Sequence, residues 1–512
     1  MRICIINTGG TISCVGTPLA PLPAARFANA ARDLLMPALA AADPRLRIDF
    51  HPGLPFGPDG HDTLDSTNLQ PRDWCVMARA VLARYDDYDA FVILQGTDTM
   101  DFSGAALSFL LSQFDRLGMG RAVLSKPVIL TGSQLPLFRD TAQGLVLNAG
   151  SDAFANVAGA ISAARLRLPE VALFFDGKLL RGNRALKVSS TRFAAFDSPH
   201  LPPLAEVGIG CRVGDAAPLP GPAMPKVALD HPDARRAVQD QLTAIDDAID
   251  GLSVVQLPAF PARFAGSPLA AMIRDAVDRG ARAIVLEAYG EGNFPAGDVD
   301  DPQRGEICAA LMQARDAGVL VVDGSRVIGG AVGAFHYAAG AWLAETGAVE
   351  AGQMTPVAAY AKALILCAAA DHNGWDDDDL RALIRRGLAG ETPARDRMGA
   401  DIDAVLRPGQ LLQAADGAAR LVNDTDAGLR LLDAAGDAVW TPAPGHVGQL
   451  RLDCRGLRLI AQDGAVLWRD SGTEGPGAVL ILRHDDGAPI LDLHHADGRV
   501  RRVAGFSGQG DA

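Results

Sequence analysis

Residues 3–13, Ile3-Cys4-Ile5-Ile6-Asn7-Thr8-Gly9-Gly10-Thr11-Ile12-Ser13, begin with a four-residue apolar run and end on two glycines and a hydroxyl-bearing turn. Such a run is the pattern of a strand buried on both faces, and the glycines let the backbone bend sharply at its end. Thr11 then lies beyond the strand's carboxyl edge, where open α/β sheets bind ligands. Taken singly this is only a turn, but the arrangement recurs. Phe91 to Leu94 runs into Q-G-T-D-T-M, placing Thr97 and Asp98 past a strand end, and Val128 to Leu130 runs into T-G-S-Q, placing Ser133 likewise.

Outward from these turns, residues 1–196 alternate apolar runs with helical periodicity. Val171 to Phe175 is a further buried strand, and Pro71 to Tyr85 and Phe102 to Leu117 carry helix spacing, with Pro71 suited to a first turn. Strand and helix in this order predict a parallel sheet covered on both faces. Residues 197–225 contain S-P-H-L-P-P and P-L-P-G-P-A-M-P, which read as an inter-domain linker. A second α/β unit occupies 226–395, with strands at Val254 to Leu257, Ala283 to Leu286 and Val319 to Val322. Thr355 and Pro356 open one of its helices, and Asp376 to Asp379 place negative charge at the start of another.

From 400 to 512 the texture changes: no lysine, many Asp-Gly turns and alternating apolar positions. Three similar segments, ending at Trp440, Trp468 and Val500, predict a threefold repeat of short antiparallel strands. The expected fold class is therefore α/β, two parallel-sheet α/β domains followed by a small all-β domain.

Composition excludes several functions. A net charge of -14 over 512 residues opposes binding to phosphate backbones. No apolar run approaches membrane-spanning length, and the apolar run behind Arg2 is too short for a secretory signal. Seven cysteines, without C-x-x-C spacing, suit reduced thiols in a cytoplasmic protein. No histidine cluster with ligand spacing and no phosphate-binding glycine motif is present, so neither metal nor cofactor is expected. Asp65-Ser66-Thr67-Asn68 precedes a helix and reads by itself as a cap. Lys187 lies in an apolar context where desolvation would make it a base, although an isolated lysine is more simply a surface charge.

In chain order, T-G-G-T-I, D-S-x-N, G-T-D-T-M, K-P-V-I-L-T-G-S-Q-x-P, S-D-x-x-x-N (with Asp152 and Asn156) and K-x-x-R-G-x-R-x-x-K (Lys178 to Lys187) resemble the bacterial-type L-asparaginase family over residues 1 to about 370. In the second unit A-Y-G-E-G-N-F-P, containing Asn293, resembles the cytoplasmic type. The resemblance implies that Thr11 attacks the side-chain amide of L-asparagine and forms an acyl-enzyme, with Thr97, Asp98 and Lys187 as a linked relay. It implies that Ser66 and Thr67 hold the α-carboxylate and α-amino ends, and that the turns at Thr97 and Ser133 stabilise the oxyanion. Asn293 would enter the site from a neighbouring subunit, so a homodimer or homotetramer is expected. The alternatives are the amidase subunit of a tRNA-dependent amidotransferase and a weakly active binding protein of the same fold.

Two features depart from the family pattern. The loop Cys14 to Arg26 has no tyrosine, with Leu19 near the place where the family carries one, and Phe138 to Gly150 looks longer than the usual connection. Beyond residue 400 the repeats resemble the bulb-type lectin fold, a β-prism. D-T-D-A-G-L-R-L-L from Asp424 keeps only Asp426 of the sugar-contacting positions, which argues against glycan binding.

Overall fold

The computed structural model describes the chain apart from residues 43–44, 58, 117, 119, 220, 223–224, 333–337, 394–395, 400–403, 415–418, 434, 476, 486–487 and 506–512. Residues 396–399, expected to separate the second and third domains, are described, and Arg397–Gly399 is already a strand of the third domain.

The first sheet has eight strands. Its parallel part is formed by Arg47–Phe50, Arg2–Asn7, Ala90–Leu94, Val128–Thr131 and Val171–Phe175, with Ile3 opposite Ala90 and Val92 opposite Ile129. Alternation along Arg2–Asn7 explains the unbroken apolar run. Cys4 and Ile6 enter one core with the helices Pro71–Ala83 and Met100–Leu110, whereas Ile3 and Ile5 enter another with Ala153–Ala164.

Beyond Val171–Phe175 the sheet turns antiparallel through Lys178–Arg181, Ala205–Val207 and Cys211–Val213. The stretch expected to be only a linker thus supplies the sheet's last two strands, its prolines lying outside them. The helix expected over 102–117 ends at Leu110. Gln113–Phe114 then pairs with Gly120–Ala122, because Gly118 turns the chain at a φ of 72° while pressed against Leu388 and Arg397.

The second sheet pairs Val254–Pro258, Ala283–Ala288, Leu320–Ser325 and Val349–Glu350, all parallel. Thr355 caps the helix Pro356–Asn373 by accepting from Ala358 N, and Asp376 caps Asp377–Arg385. The longer helix is apolar on every side and packs into the same core as Met100–Leu110, joining the two α/β units. Its buried Lys362 pairs with Glu391 at 2.6 Å.

The described residues between 397 and 505 form three four-stranded antiparallel sheets. Each repeat supplies three strands, such as Arg420–Asp424, Gly428–Leu432 and Ala438–Trp440, and an earlier segment supplies the fourth. Register shifts recur at equivalent places, Leu431/Leu432, Leu459/Ile460 and Leu491/Asp492. Leucines such as Leu421, Leu450 and Leu480 fill the interior. Trp440 and Trp468 are only partly buried, meeting edge-to-face at 5.4 Å between two of the sheets. Arg397 heads the first strand of one sheet yet is 1% exposed and donates to Gly387 O at 2.7 Å, so the β domain is keyed into the α/β core.

Candidate active site

The three glycine turns converge at the carboxyl edge of the first sheet. Gly9 and Gly10 adopt φ values of 110° and 73°, and Gly10 N–H donates to Leu64 O at 3.0 Å. Gly10 packs against the backbone of Gly96, and Gly96 packs against Ser66. Thr99 Oγ1 donates to Ser66 O at 2.9 Å. The Thr11, Ser66 and Thr97 segments are therefore laced together by close backbone approach. A Cβ on Gly96 would lie 2.8 Å from Ser66 Cβ and 3.0 Å from Gly10 Cα. Gly96→Ala is expected to cost about 1–3 kcal/mol of stability through overpacking and to lower turnover by shifting these loops. Thermal melts and ammonia release check it, and unchanged values in both would show that the loops yield freely.

Lys187 follows the turn Gly182–Arg184 and pairs, as Leu186–Lys187, with Phe196–Asp197. Its Nζ donates to Thr97 Oγ1 at 2.8 Å and to Asp98 Oδ1 at 2.6 Å. The lysine side chain is 19% exposed and that of Asp98 55%, so the group faces solvent at the sheet edge. Thr97 Oγ1 in turn donates to Gln134 Oε1 at 3.5 Å. Thr11 begins a short 3-10 turn, is half-buried, and its hydroxyl has no hydrogen-bond partner among the described residues. Lys187 makes no direct bond to it.

Ser66 is buried, whereas Thr67 is exposed and both its amide and hydroxyl bond Asp65 Oδ1, at 2.9 and 2.6 Å, so Asp65 caps a 3-10 turn as its sequence suggested. Ser133 is buried and its hydroxyl donates to Leu135 O at 2.5 Å. The amides of Gln134 and Leu135 are held by Asp152, which leaves neither free for a substrate. Asn156 links Gly132 O to Asp176 N, bracing the turn after Val128–Thr131 against the neighbouring strand. These bonds give structural roles to the two named residues of S-D-x-x-x-N.

Asp101 is a residue that sequence reasoning misses. Its Oδ2 accepts from Lys187 N at 3.0 Å, and burial raises its carboxyl pKa, opposed by the Lys187 and Phe102 amides. Its place three residues after Asp98 is the only local signal. Gln134 lies within the T-G-S-Q turn, but its contact to Thr97 depends on two loops meeting.

Asn293 lies in the loop after the strand Ala283–Ala288 of the second domain, on a bridge with Tyr289 whose backbone bonds measure 2.9 Å in both directions. Among the described residues it bonds none of Thr11, Thr97 or Lys187. It lines a separate cavity of about 630 Å³ with Phe264, Tyr289 and Trp342. Leu19 is 55% exposed on the turn between Cys14–Val15 and Ala20–Pro21. Cys14 offers no acid in its stead, since burial pushes its thiol up to about 11. The connection at 138–150 forms a hairpin, Phe138–Thr141 with Gly144–Leu147.

Comparison with known proteins agrees with this architecture. The asparaginase N-terminal domain matches residues 2–217, and the glutaminase/asparaginase C-terminal domain matches 266–383. L-asparaginase 1 of Escherichia coli (strain K12) is 33% identical over 329 residues, covering 64% of this chain and 82% of that protein. The 60 kDa lysophospholipase of Mus musculus is 31% identical over 335 residues, 65% of this chain and 50% of that one. A subunit of the glutamyl-tRNA(Gln) amidotransferase of Aeropyrum pernix is 29% identical over 338 residues, 64% and 67% of the two chains. The solved thermostable L-asparaginase from Thermococcus kodakarensis superposes with a TM-score of 0.54 at 27% identity, covering 77% of this chain and 99% of that one. A strand-edge site of this kind on paired α/β domains defines a class, and the chain belongs to the asparaginase family.

Proposed function

We propose that the chain is an L-asparaginase, hydrolysing the side-chain amide of L-asparagine to L-aspartate and ammonia through a threonyl acyl-enzyme. The observation that carries this reading is Lys187 Nζ bonded to both Thr97 and Asp98 at the sheet edge where the Thr11 turn is packed. A hydroxyl is a poor nucleophile at neutral pH and needs a positioned proton acceptor. Thr11 Oγ attacks the amide carbon and its proton leaves with ammonia. Water then cleaves the ester, restoring Thr11 and releasing aspartate. Thr97, Asp98 and Lys187 form the relay that moves protons in these steps, and without a loop phenol Thr11 is reached from Lys187 through water. Asp98 also meets the substrate's α-ammonium, Ser66 and Thr67 its α-groups, and the turn at Thr97 with the Ser133 amide, which Asp152 does not hold, the oxyanion.

Asn293 completes the site from a second copy of the chain, which makes the active form a homodimer or homotetramer. No described helix is long and apolar enough to cross a membrane, and the reduced thiols suit a cytoplasmic location. The net charge of -14 disfavours the tRNA-dependent amidotransferase reading. The three sheets beyond residue 396 form a bulb-lectin-like β-prism that packs and assembles rather than binds sugar. In support, Arg430 pairs with Asp424 at 3.1 Å and Arg458 with Asp453 at 2.5 Å, at matching places in two repeats. Asp424, two residues before Asp426, is thus engaged in an ion pair.

The deciding experiment is ammonia release from L-asparagine, L-glutamine and D-asparagine by the purified full chain. Turnover of L-asparagine well above the other two is expected. No release from any of them would sink the reading and favour a binding protein.

A further inference from the structure

Between the α/β core and the β domain lies a cavity of about 370 Å³, reached by the Gly182–Arg184 turn that precedes Lys187. The cavity is lined by three buried arginines, Arg181 and Arg184 of the α/β core, 6% and 3% exposed, and Arg397. One wall, from the β domain, is apolar, formed by Leu406, Leu411 and Leu412. Three of the surrounding cations are in ion pairs, Arg181 with Glu170 at 2.6 Å, Lys362 with Glu391 at 2.6 Å and Arg386 with Asp396 at 2.7 Å, and Arg397, the third arginine on the lining, donates to Gly387 O at 2.7 Å.

Among the described residues Arg184 is bonded to neutral partners alone. It donates to Gly390 O at 2.7 Å and to Gln353 Oε1 at 3.5 Å, both neutral, and no carboxylate of the described residues lies within ion-pair distance. Burying a guanidinium without a counter-charge is costly unless something supplies one. In keeping with this, burial brings its pKa down to about 10, with Arg181 adding repulsion and Glu391 only partly offsetting it. The guanidinium's planar fork of donors is suited to an oxyanion.

We propose that this cavity is a binding site for a small organic anion, whose oxyanion group bonds Arg184 and whose apolar body lies against Leu406, Leu411 and Leu412. The volume falls in the range of small-ligand pockets, and the pairing of an apolar wall with a few polar groups is their usual chemistry. The site exists only because the β domain covers the core here, so it is a property of this chain's three-domain arrangement.

Titration calorimetry of the full chain with hexanoate tests it, with hexan-1-ol and inorganic phosphate as controls. Saturable hexanoate binding at one site per chain is expected, at least about tenfold tighter than either control, since each lacks one half of the ligand. Leu411 is 45% exposed at the cavity's outer wall, so Leu411→Glu is expected to leave the melting temperature unchanged while weakening hexanoate at least about tenfold through charge repulsion. Absence of saturable binding to the unaltered chain, hexanol binding as tightly as hexanoate, phosphate binding as tightly as hexanoate, or undiminished affinity in Leu411→Glu would each overturn the proposal.

Discussion

Replacing Thr11 by alanine, or Lys187 by methionine, is expected to lower L-asparagine turnover on the order of a thousandfold or more while hardly changing the melting temperature. The two substitutions act on different halves of the chemistry. Thr11→Ala removes the atom that forms the acyl-enzyme, from a half-buried turn whose hydroxyl bonds none of the described residues. Lys187→Met keeps the length of the side chain and removes the ammonium that joins Thr97 to Asp98. Neither change leaves a costly buried charge behind, because Asp98 is more than half exposed and water replaces its lost partner. Stability and activity are thus expected to separate cleanly. Steady-state ammonia release and thermal melts of both variants provide the check. Near-wild-type turnover in either would show that its residue has been given the wrong role, and a collapsed melting temperature would show that it supports the fold instead.

A second large effect is expected in the second domain. Asp323, in the middle of Leu320–Ser325, is fully buried and neither carboxylate oxygen has a hydrogen-bond partner among the described residues. Burial, and then the neighbouring Glu350, raise its pKa to about 8. An acid whose folded-state pKa is raised stays protonated in the fold at pH values where the unfolded chain has already released its proton. Its contribution to stability is therefore most favourable below the unfolded value near 3.8 and is lost steadily as pH rises toward about 8. At about 1.4 kcal/mol per pH unit, the loss accumulated by pH 8 is on the order of 5 kcal/mol. Asp323→Asn keeps the shape and stays neutral. It is expected to match the parent at pH 4 and to exceed it by several kcal/mol at pH 8, read from denaturant midpoints at a series of pH values. Parallel stability curves for the two proteins would show that the carboxylate finds compensation in the fold.

What was legible from sequence is what depends on near neighbours along the chain. The run Ile3 to Ile6 reads as a doubly buried strand because successive side chains must point to opposite faces, and the structure sends Ile3 and Ile5 to one core and Cys4 and Ile6 to the other. Thr355 reads as a cap because a short oxygen-bearing side chain ahead of a helix satisfies its free amides, and it does so, while the charge read over Asp376 to Asp379 does fall at a helix start, with Asp376 as its cap. The glycines of T-G-G-T mark a turn because the chain there needs positive φ. The family's ordered motifs place Thr11, Thr97, Asp98 and Lys187 near strand ends without any distance being known.

Tertiary structure decided everything that depends on which strand ends meet. Lys187 is 89 residues from Asp98, and nothing local to either fixes their 2.6 Å contact. The same holds for Asp101 holding the Lys187 amide and Asp152 occupying the donors after Ser133. Helical periodicity runs on to 117, but the helix stops at Leu110, where the Gly118 turn packs against Leu388 and Arg397 from the far end of the chain. Residues 205–213, proline-flanked and linker-like by composition, become strands because the edge of the first sheet has unpaired backbone groups to receive them. Periodicity and capping are set within a few residues, whereas edge pairing, loop lacing and a shared cavity exist only once distant segments have overcome their closure entropy and packed.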